Sequence, residues 1–413
     1  MRISMKSRKE LTRTVACRYR TASRPEKAVI LDEFVASTGY VRSYAATLLR
    51  TYGKTIKAQS IHTESNLVPS KRKQKGRGGR PRKYTQEVAT EVEQLWRLFG
   101  HLCGKRLAQV IRVTLPALSA HEDFLKCSPD VLDSLKTISA ATIDRMLTSA
   151  RASLVGKGTC YTRGSKALSE QIPIRTFGEW QDVPPGHFQM DLVGHDGGIT
   201  TGQCCFTLTM TDVCLGWTER RAVLNRAARW VLLALQDMQE DVPFEIEELH
   251  PDNGSEFINQ TLVRYCKEMA IALTRSRASR KNDNCYVEQK NFDAVRKLVG
   301  YARFTTPETV DLLNTLYKAQ GILQNYIYPS QKLIEKTRRG SKVTKHYDEP
   351  QSPAQRALSN PLIPEKVKTI IRVKLSQIDP IEIAMEVKRL QACLYQMAER
   401  QYSEAYPEGA SAG

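Results

Sequence analysis

Apolar and polar positions alternate with a period of two over residues 187–193: Phe188, Met190 and Leu192 fall on one face and His187, Gln189 and Asp191 on the other. That period marks a strand, with Asp191 pointing away from the apolar face. A second short strand, 245–249, runs into His250-Pro251-Asp252-Asn253-Gly254, where proline and glycine end it and leave Asp252 at its mouth. Strand spacing recurs at 202–211, 218–223 and 271–274, and helical spacing at 227–239, 256–269 and 284–300. The last helix takes Cys285, Val287, Phe292, Val295, Leu298 and Val299 as apolar positions and puts Asn284, Glu288 and Asn291 on one stripe, at i, i+4 and i+7. Strands and helices in this order predict an α/β core with a sheet flanked by helices.

Elsewhere the pattern is helical. Residues 25–36 pair Ile30 with Phe34 and Leu31 with Val35, with Pro25 in the first turn and Gly39 supplying the left-handed residue that ends a helix. A second helix, 41–52, should bury Val41, Ala45, Leu48 and Leu49 and turn Arg42, Ser43, Thr47 and Arg50 outward. Helix, tight glycine turn, helix is the plan of a helix-turn-helix. Residues 85–152 form a second helical unit, with Val88, Val92, Leu95 and Phe99, then Leu107, Val110 and Ile111, then Ile143, Met146 and Leu147 facing inward, and Ser139 capping the third helix. Residues 156–185 are a polar connection anchored by Trp180. After the α/β block come a long helical stretch, 306–334, a basic run, 336–345, a polar segment around Ser352-Pro353 and a helix at 380–402.

Charge locates the partner. The chain of 413 residues has a net charge of +18, and residues 1–83 hold 21 Lys/Arg against 5 Asp/Glu, a net of +16. A basic footprint without an amphipathic apolar face favours a polyanion, nucleic acid over a membrane, and the helix-turn-helix plan makes double-stranded DNA the partner expected. Within it, KRKQKGRGGRPRK in the 60–84 linker places Arg77, Arg80 and Arg82 around Gly-Arg-Pro, similar to the core of an AT-hook, which lies in the minor groove. No apolar run approaches the roughly 20 residues of a membrane span. The basic start MRISMKSRKE has no apolar signal core beside it, so an intracellular protein is expected, in cytoplasm or nucleoid if bacterial. Ten scattered cysteines without a Cys-x-x-Cys pair argue for reduced thiols, and His101, Cys103 and His121 lack the second pair that a zinc site needs.

Three carboxylates stand out: Asp191, Asp252 and Glu288, with 35 residues between the second and third. Converging carboxylates repel unless cations neutralise them, and hard oxygen donors suit Mg²⁺, with Mn²⁺ as a substitute. Two such ions roughly 3.5–4 Å apart can serve both the attacking and the leaving oxygen of a phosphoryl transfer. Residues 183–328 resemble the catalytic core of the retroviral-integrase superfamily, the DDE transposases of bacterial insertion sequences and retroviral integrases, through HFQMDLVG, HPDNGSEF and NDNCYVEQKN. The resemblance implies an RNase H-like fold with a mixed five-stranded sheet, Asp191, Asp252 and Glu288 as metal-holding catalytic residues, and two ions per site. It further implies cleavage that exposes a 3′-hydroxyl, joining of that hydroxyl to target DNA, and a homo-oligomer on paired element ends.

The basic loop before Glu288, with Arg275, Arg277, Arg280 and Lys281, is expected to hold DNA phosphates near the acids. Asp196 and Asp212 are read as turn acids, and Glu256, at the start of the 256–269 helix, as a residue favouring the helix N-terminus. The fold class expected is multidomain: N-terminal all-α helix-turn-helix units, an α/β RNase H-like core and a largely helical C-terminal region. Its parts are a basic helix-turn-helix region, 1–59; the linker, 60–84; a second helix-turn-helix-like DNA-binding domain, 85–155; the catalytic core, 180–330; and a C-terminal extension without an assigned role, 331–413. Two other functions share these features: a catalytically inactive DNA-binding regulator of transposition, and a metal-dependent nuclease without strand transfer.

Overall fold

A computed structural model describes residues 5–52, 84–120, 127–152, 172–175, 177–180, 183–198, 202–277, 284–339 and 342–405. The chain divides into two compact units, one of residues 1–81 with 332–349, the other of residues 82–331 with 350–413. The linker arginines Arg77, Arg80 and Arg82, and Arg280 and Lys281 of the basic loop, lie outside the described residues, as does His121.

The first unit holds three helices, α1 (Met5–Thr21), α2 (Arg24–Thr38) and α3 (Arg42–Thr51). Glu26 accepts from the Ser23 backbone N–H and caps α2, while Gly39, at φ +68°, closes it by donating to Val35 O. α1 is an addition to the sequence expectation, and it completes a small core of Ala16, Leu31, Phe34, Ala45 and Leu49. Val41 corrects that expectation: it precedes the first turn of α3 as its N-cap and is 73% exposed. The same unit contains an antiparallel pair, β6 (Leu333–Arg339) with β7 (Lys342–Tyr347). The basic run is therefore a ribbon, and the preceding helix (Pro307–Ile322) closes with a wide-turn segment ending at Ile327, well short of residue 334.

The second unit is built on a five-stranded mixed sheet in the order β3-β2-β1-β4-β5, with β1 His187–Gly194, β2 Phe206–Asp212, β3 Thr218–Val223, β4 Glu248–Pro251 and β5 Ala272–Leu273. β2 runs antiparallel to β1 and β3, and β4 runs parallel to β1 and β5. Both faces are covered. Phe188, Met190, Leu208, Met210 and Leu249 pack with Val231, Leu235 and Met238 of helix Ala228–Asp241 and Leu262 of helix Gln260–Glu268. Val193, Cys205 and Ala222 share a second cluster with Val295, Val299, Leu313, Leu316, Leu390 and Leu394.

That second cluster continues into the helices Gln86–Leu98, Gly104–Ala120, Pro129–Thr137 and Ala140–Met146, which bury Val88, Val92, Leu95, Phe99, Leu107, Val110, Ile111 and Ile143. Ser139 caps the last of these by accepting from Thr142 N–H. The eight cysteines described are free thiols. No helix of the described residues is long and apolar enough to cross a membrane.

Candidate active site

The sheet register brings the two aspartates together. β1 and β4 pair in parallel as far as Met190↔Pro251, so the next residues are Asp191, still within β1, and Asp252, the first residue past the end of β4. Neighbouring strands lie about 4.8 Å apart, which makes the two aspartates lateral neighbours. The second strand lies slightly later than its sequence pattern suggested, ending at Pro251, whose missing N–H cannot continue the ladder. The side chain of Asp252 folds back to accept the Gly254 N–H at 2.9 Å. Burial pushes its carboxyl above the usual aspartate range, opposed by that hydrogen bond.

Glu288 lies on helix Cys285–Lys290, which is tied lengthwise along β1. The first N–H groups of a helix have no partner inside it and need one from outside. Gln189, a fully buried strand residue two positions before Asp191, supplies it: its Oε1 accepts Tyr286 N–H at 3.0 Å and Val287 N–H at 3.4 Å. Asn284 donates its Nδ2 to Met190 O at 3.0 Å, and Asn291 donates its Nδ2 to Asp191 Oδ2. Further on, Arg296 donates to Gly194 O at 2.8 Å. Glu288 thus sits in a helix pinned to β1 both before and after it, and the later pin is on Asp191 itself.

The helix is not regular throughout. Residues Asn291–Arg296 widen into a π turn before Lys297–Val299 and the terminating Gly300, at φ +71°. The extra residue per turn rotates Phe292 outward to 53% exposure, against the expectation that it packs inside. The buried Arg220 of β3 donates to Ala294 O at 2.6 Å, within the wide turn.

Around this frame, Trp180 is buried with Val183 and Val213 and packs against Tyr286, while the His250 ring stands edge-on to Trp180 at 4.8 Å. His250 bonds the hydroxyls of Thr274 and Ser276 through its two ring nitrogens, at 2.7 and 3.1 Å. Asp212 accepts from Gly186 and Leu215 N–H groups and Asp196 from Gly198 N–H, so both serve turns. Glu256 corrects its sequence assignment: the helix begins at Gln260, capped by Asn259, which accepts from Leu262 N–H. Glu256 instead lies buried in the preceding turn, its carboxyl raised mainly by burial and further by Asp252.

The basic residues expected at DNA fall in different places. Ser43, Thr47 and Arg50 are exposed on α3, whereas Arg42 forms an ion pair with Asp32. Arg275 is turned inward, its Nε donating to Ile172 O at 3.1 Å and its Nη1 to Asn253 Oδ1 at 3.2 Å. Arg277 is exposed at the edge of the described loop. Gln189 was not singled out by its sequence, since a glutamine alternating on the polar face of a strand gives no sign that a helix will cover it.

Comparison with known proteins now adds to this geometry. The integrase core domain family matches residues 181–281, which include Asp191 and Asp252 and stop before Glu288. A relative in Sinorhizobium fredii (strain NBRC 101917 / NGR234), the uncharacterized protein y4rM, is 40% identical over 357 residues, 86% of this chain and 96% of its own. The chain belongs to the integrase/transposase superfamily. The crystal structure of the catalytic core domain of BIV integrase matches with 18% identity over 34% of this chain and 83% of that one, at a TM-score of 0.26.

Integrase cores are metal-dependent polynucleotidyl transferases acting on DNA. Among the described residues no three carboxylate, histidine or cysteine side chains converge, the Glu288 side chain lying outside them, and the donors that can be assessed are two carboxylates. Asp191 in β1 and Asp252 just past the end of the neighbouring β4 offer hard carboxylate oxygens. Beside them, the buried amide oxygens Oδ1 of Asn284 and Asn291 find no donor among the described residues. Buried acceptors in excess of donors beside partly buried carboxylates are what a hydrated cation satisfies.

Proposed function

We propose that this protein is a DDE DNA transposase, which binds the ends of an element, cleaves to expose 3′-hydroxyls and joins these to target DNA. The observation that supports it most is the attachment of the Glu288 helix to β1 through Gln189 before the glutamate and Asp191 after it. Mg²⁺ or Mn²⁺, two ions held by Asp191, Asp252 and Glu288, would supply activation of the attacking oxygen and stabilisation of the leaving oxygen. The protein's own part is to fix three carboxylates in one place before DNA arrives, so that little reorganisation is needed during displacement. Gln189, Asn284 and Asn291 do this by holding helix to strand.

End recognition falls to the N-terminal helices, read as a helix-turn-helix with α3 as the recognition helix. Its outward Ser43, Thr47 and Arg50 face DNA, and Arg42 exchanges Asp32 for a phosphate. Arg277, with Arg280 and Lys281, holds phosphates near the acids, and the protein works as a homo-oligomer on paired ends. The test uses the full chain with Mg²⁺ and labelled duplexes tiled across the DNA flanking its coding sequence. Shortened strands together with strands longer than the substrate are expected, and both should vanish in Asp191→Asn, Asp252→Asn and Glu288→Gln. Cleavage with no longer strands would make it a nuclease, and binding with no cleavage a regulator.

A further inference from the structure

The ribbon β6–β7 has the charge of a DNA-binding element, and its two strands pair only with each other among the described residues. Isolated two-stranded ribbons are marginal in water, and like charges set directly opposite weaken them further. Here the register places Lys336 opposite Lys345 and Arg339 opposite Lys342, with Thr337 opposite Thr344 between them. Residues 336–345 hold five Lys/Arg and no acid, and Lys336 and Lys345 are exposed. Their stem is closed by paired backbone bonds, Ser330 with Gln351 at 2.8 and 3.1 Å, and Asp348 N–H to Lys332 O at 3.0 Å. A tethered ribbon whose outer half opposes cation to cation is stabilised when a polyanion lies between those cations.

We propose that the paired strand residues 336–339 and 342–345 act as a DNA-binding arm, which enters the major groove of double-stranded DNA with Lys336 and Lys345 on backbone phosphates. A two-stranded ribbon fits the width of that groove. The assignment rests on the proposed function only in taking DNA as the polyanion, and it gives the extension after the core a role.

The test measures binding of the full chain to a labelled random-sequence duplex in the absence of divalent metal, across a salt titration. Lys336→Gln with Lys345→Gln keeps side-chain length and removes a repulsive pair, so the ribbon stays folded, which circular dichroism and thermal melting verify. Each lost phosphate contact flattens the dependence of log K on log salt by about 0.9, so the double variant should lose about 1.8. The advantage of the native chain should accordingly shrink by about 12-fold between about 50 and about 200 mM salt. Thr337→Ala with Thr344→Ala should leave the slope as it was. An unchanged slope in the lysine variant, or a change in self-association alone by sedimentation, would overturn the arm. If the slope changes as expected while the native chain cleaves no DNA, the catalytic proposal fails and the arm stands. If cleavage and joining occur but the slope is unmoved, the reverse holds.

Discussion

Replacing Gln189 with leucine keeps a similar volume at a fully buried position but removes the acceptor for two backbone donors of the Glu288 helix. An orphaned buried N–H costs about 1–3 kcal/mol, and the two are unequal. Val287 is fully buried, so its N–H has no recourse to water, yet its bond is long at 3.4 Å. The Tyr286 bond is shorter at 3.0 Å, but Tyr286 is only half-buried and its N–H can turn to solvent. The sum should be about 2 kcal/mol, a modest part of a typical domain stability of about 5–15 kcal/mol. Gln189→Leu should therefore fold, with the penalty concentrated on the docking of one helix.

A penalty of that size shifts the docked-to-undocked ratio by about 30-fold. It should appear first as faster hydrogen exchange at the amides of Tyr286 and Val287, then as a fall in kcat of at least about tenfold with KM for DNA little changed. Gln189→Glu retains the acceptor and sets a negative charge at a helix N-terminus, so it should recover the exchange protection. Native exchange and native kcat in Gln189→Leu would refute the positioning role. Lost activity with native exchange would move the effect of Gln189 from the helix to the reacting groups.

Asp191→Asn, Asp252→Asn and Glu288→Gln should each abolish cleavage and joining while DNA binding by fluorescence anisotropy persists, whereas Glu256→Gln should keep measurable activity; an active Glu288→Gln beside a dead Glu256→Gln would exchange their roles. Mg²⁺ at about 100 times its Kd should stabilise the native chain by about 2.7 kcal/mol in thermal melts, and Asp252→Asn should forfeit most of that gain. Burial raises the Glu219 carboxyl from 4.5 to about 7, so its contribution to stability is full below pH 4.5 and is lost as pH rises through about 7. Glu219→Gln, which can still accept from Trp217 Nε1, should remove that pH dependence, with a gain of at most about 3 kcal/mol at pH 8, followed by urea unfolding.

Much of the site was legible because its residues obey local rules. Strand alternation puts Asp191 on the polar face, and Pro251 with Gly254 places Asp252 at a strand end. The helical stripe of Asn284, Glu288 and Asn291 runs along a helix whose two asparagines bond β1. What the sequence hid depends on partners far away in the chain. The polar face of β1 is covered, so Gln189 reads as a solvent residue until the helix is laid over it. The ribbon was hidden for a different reason: six Lys/Arg at 332–345 swamp the β-branched Ile334, Thr337, Val343 and Thr344 that mark its strands. Glu256 misled because an acid before an apolar periodicity looks like a helix start, while Asn259, three residues on, has the cap.

The π turn explains how one helix can hold β1 at two well-separated points. In a regular α-helix, residues five apart point about 140° away from each other, so Asn291 and Arg296 could not both face the same strand. In the i→i+5 turn they come close to alignment, and Lys297 N–H duly bonds Phe292 O. One extra residue therefore lets Asn291 reach Asp191 and Arg296 reach Gly194, three positions further along β1. The cost is a less regular backbone, offset by Arg220 at Ala294 O and by the burial of Val295, Leu298 and Val299. Apolar contacts of this kind fix how closely helix and strand approach, but they tolerate sliding. The directional bonds from Gln189, Asn291 and Arg296 forbid it, and with it any drift of Glu288 along the strand that carries Asp191.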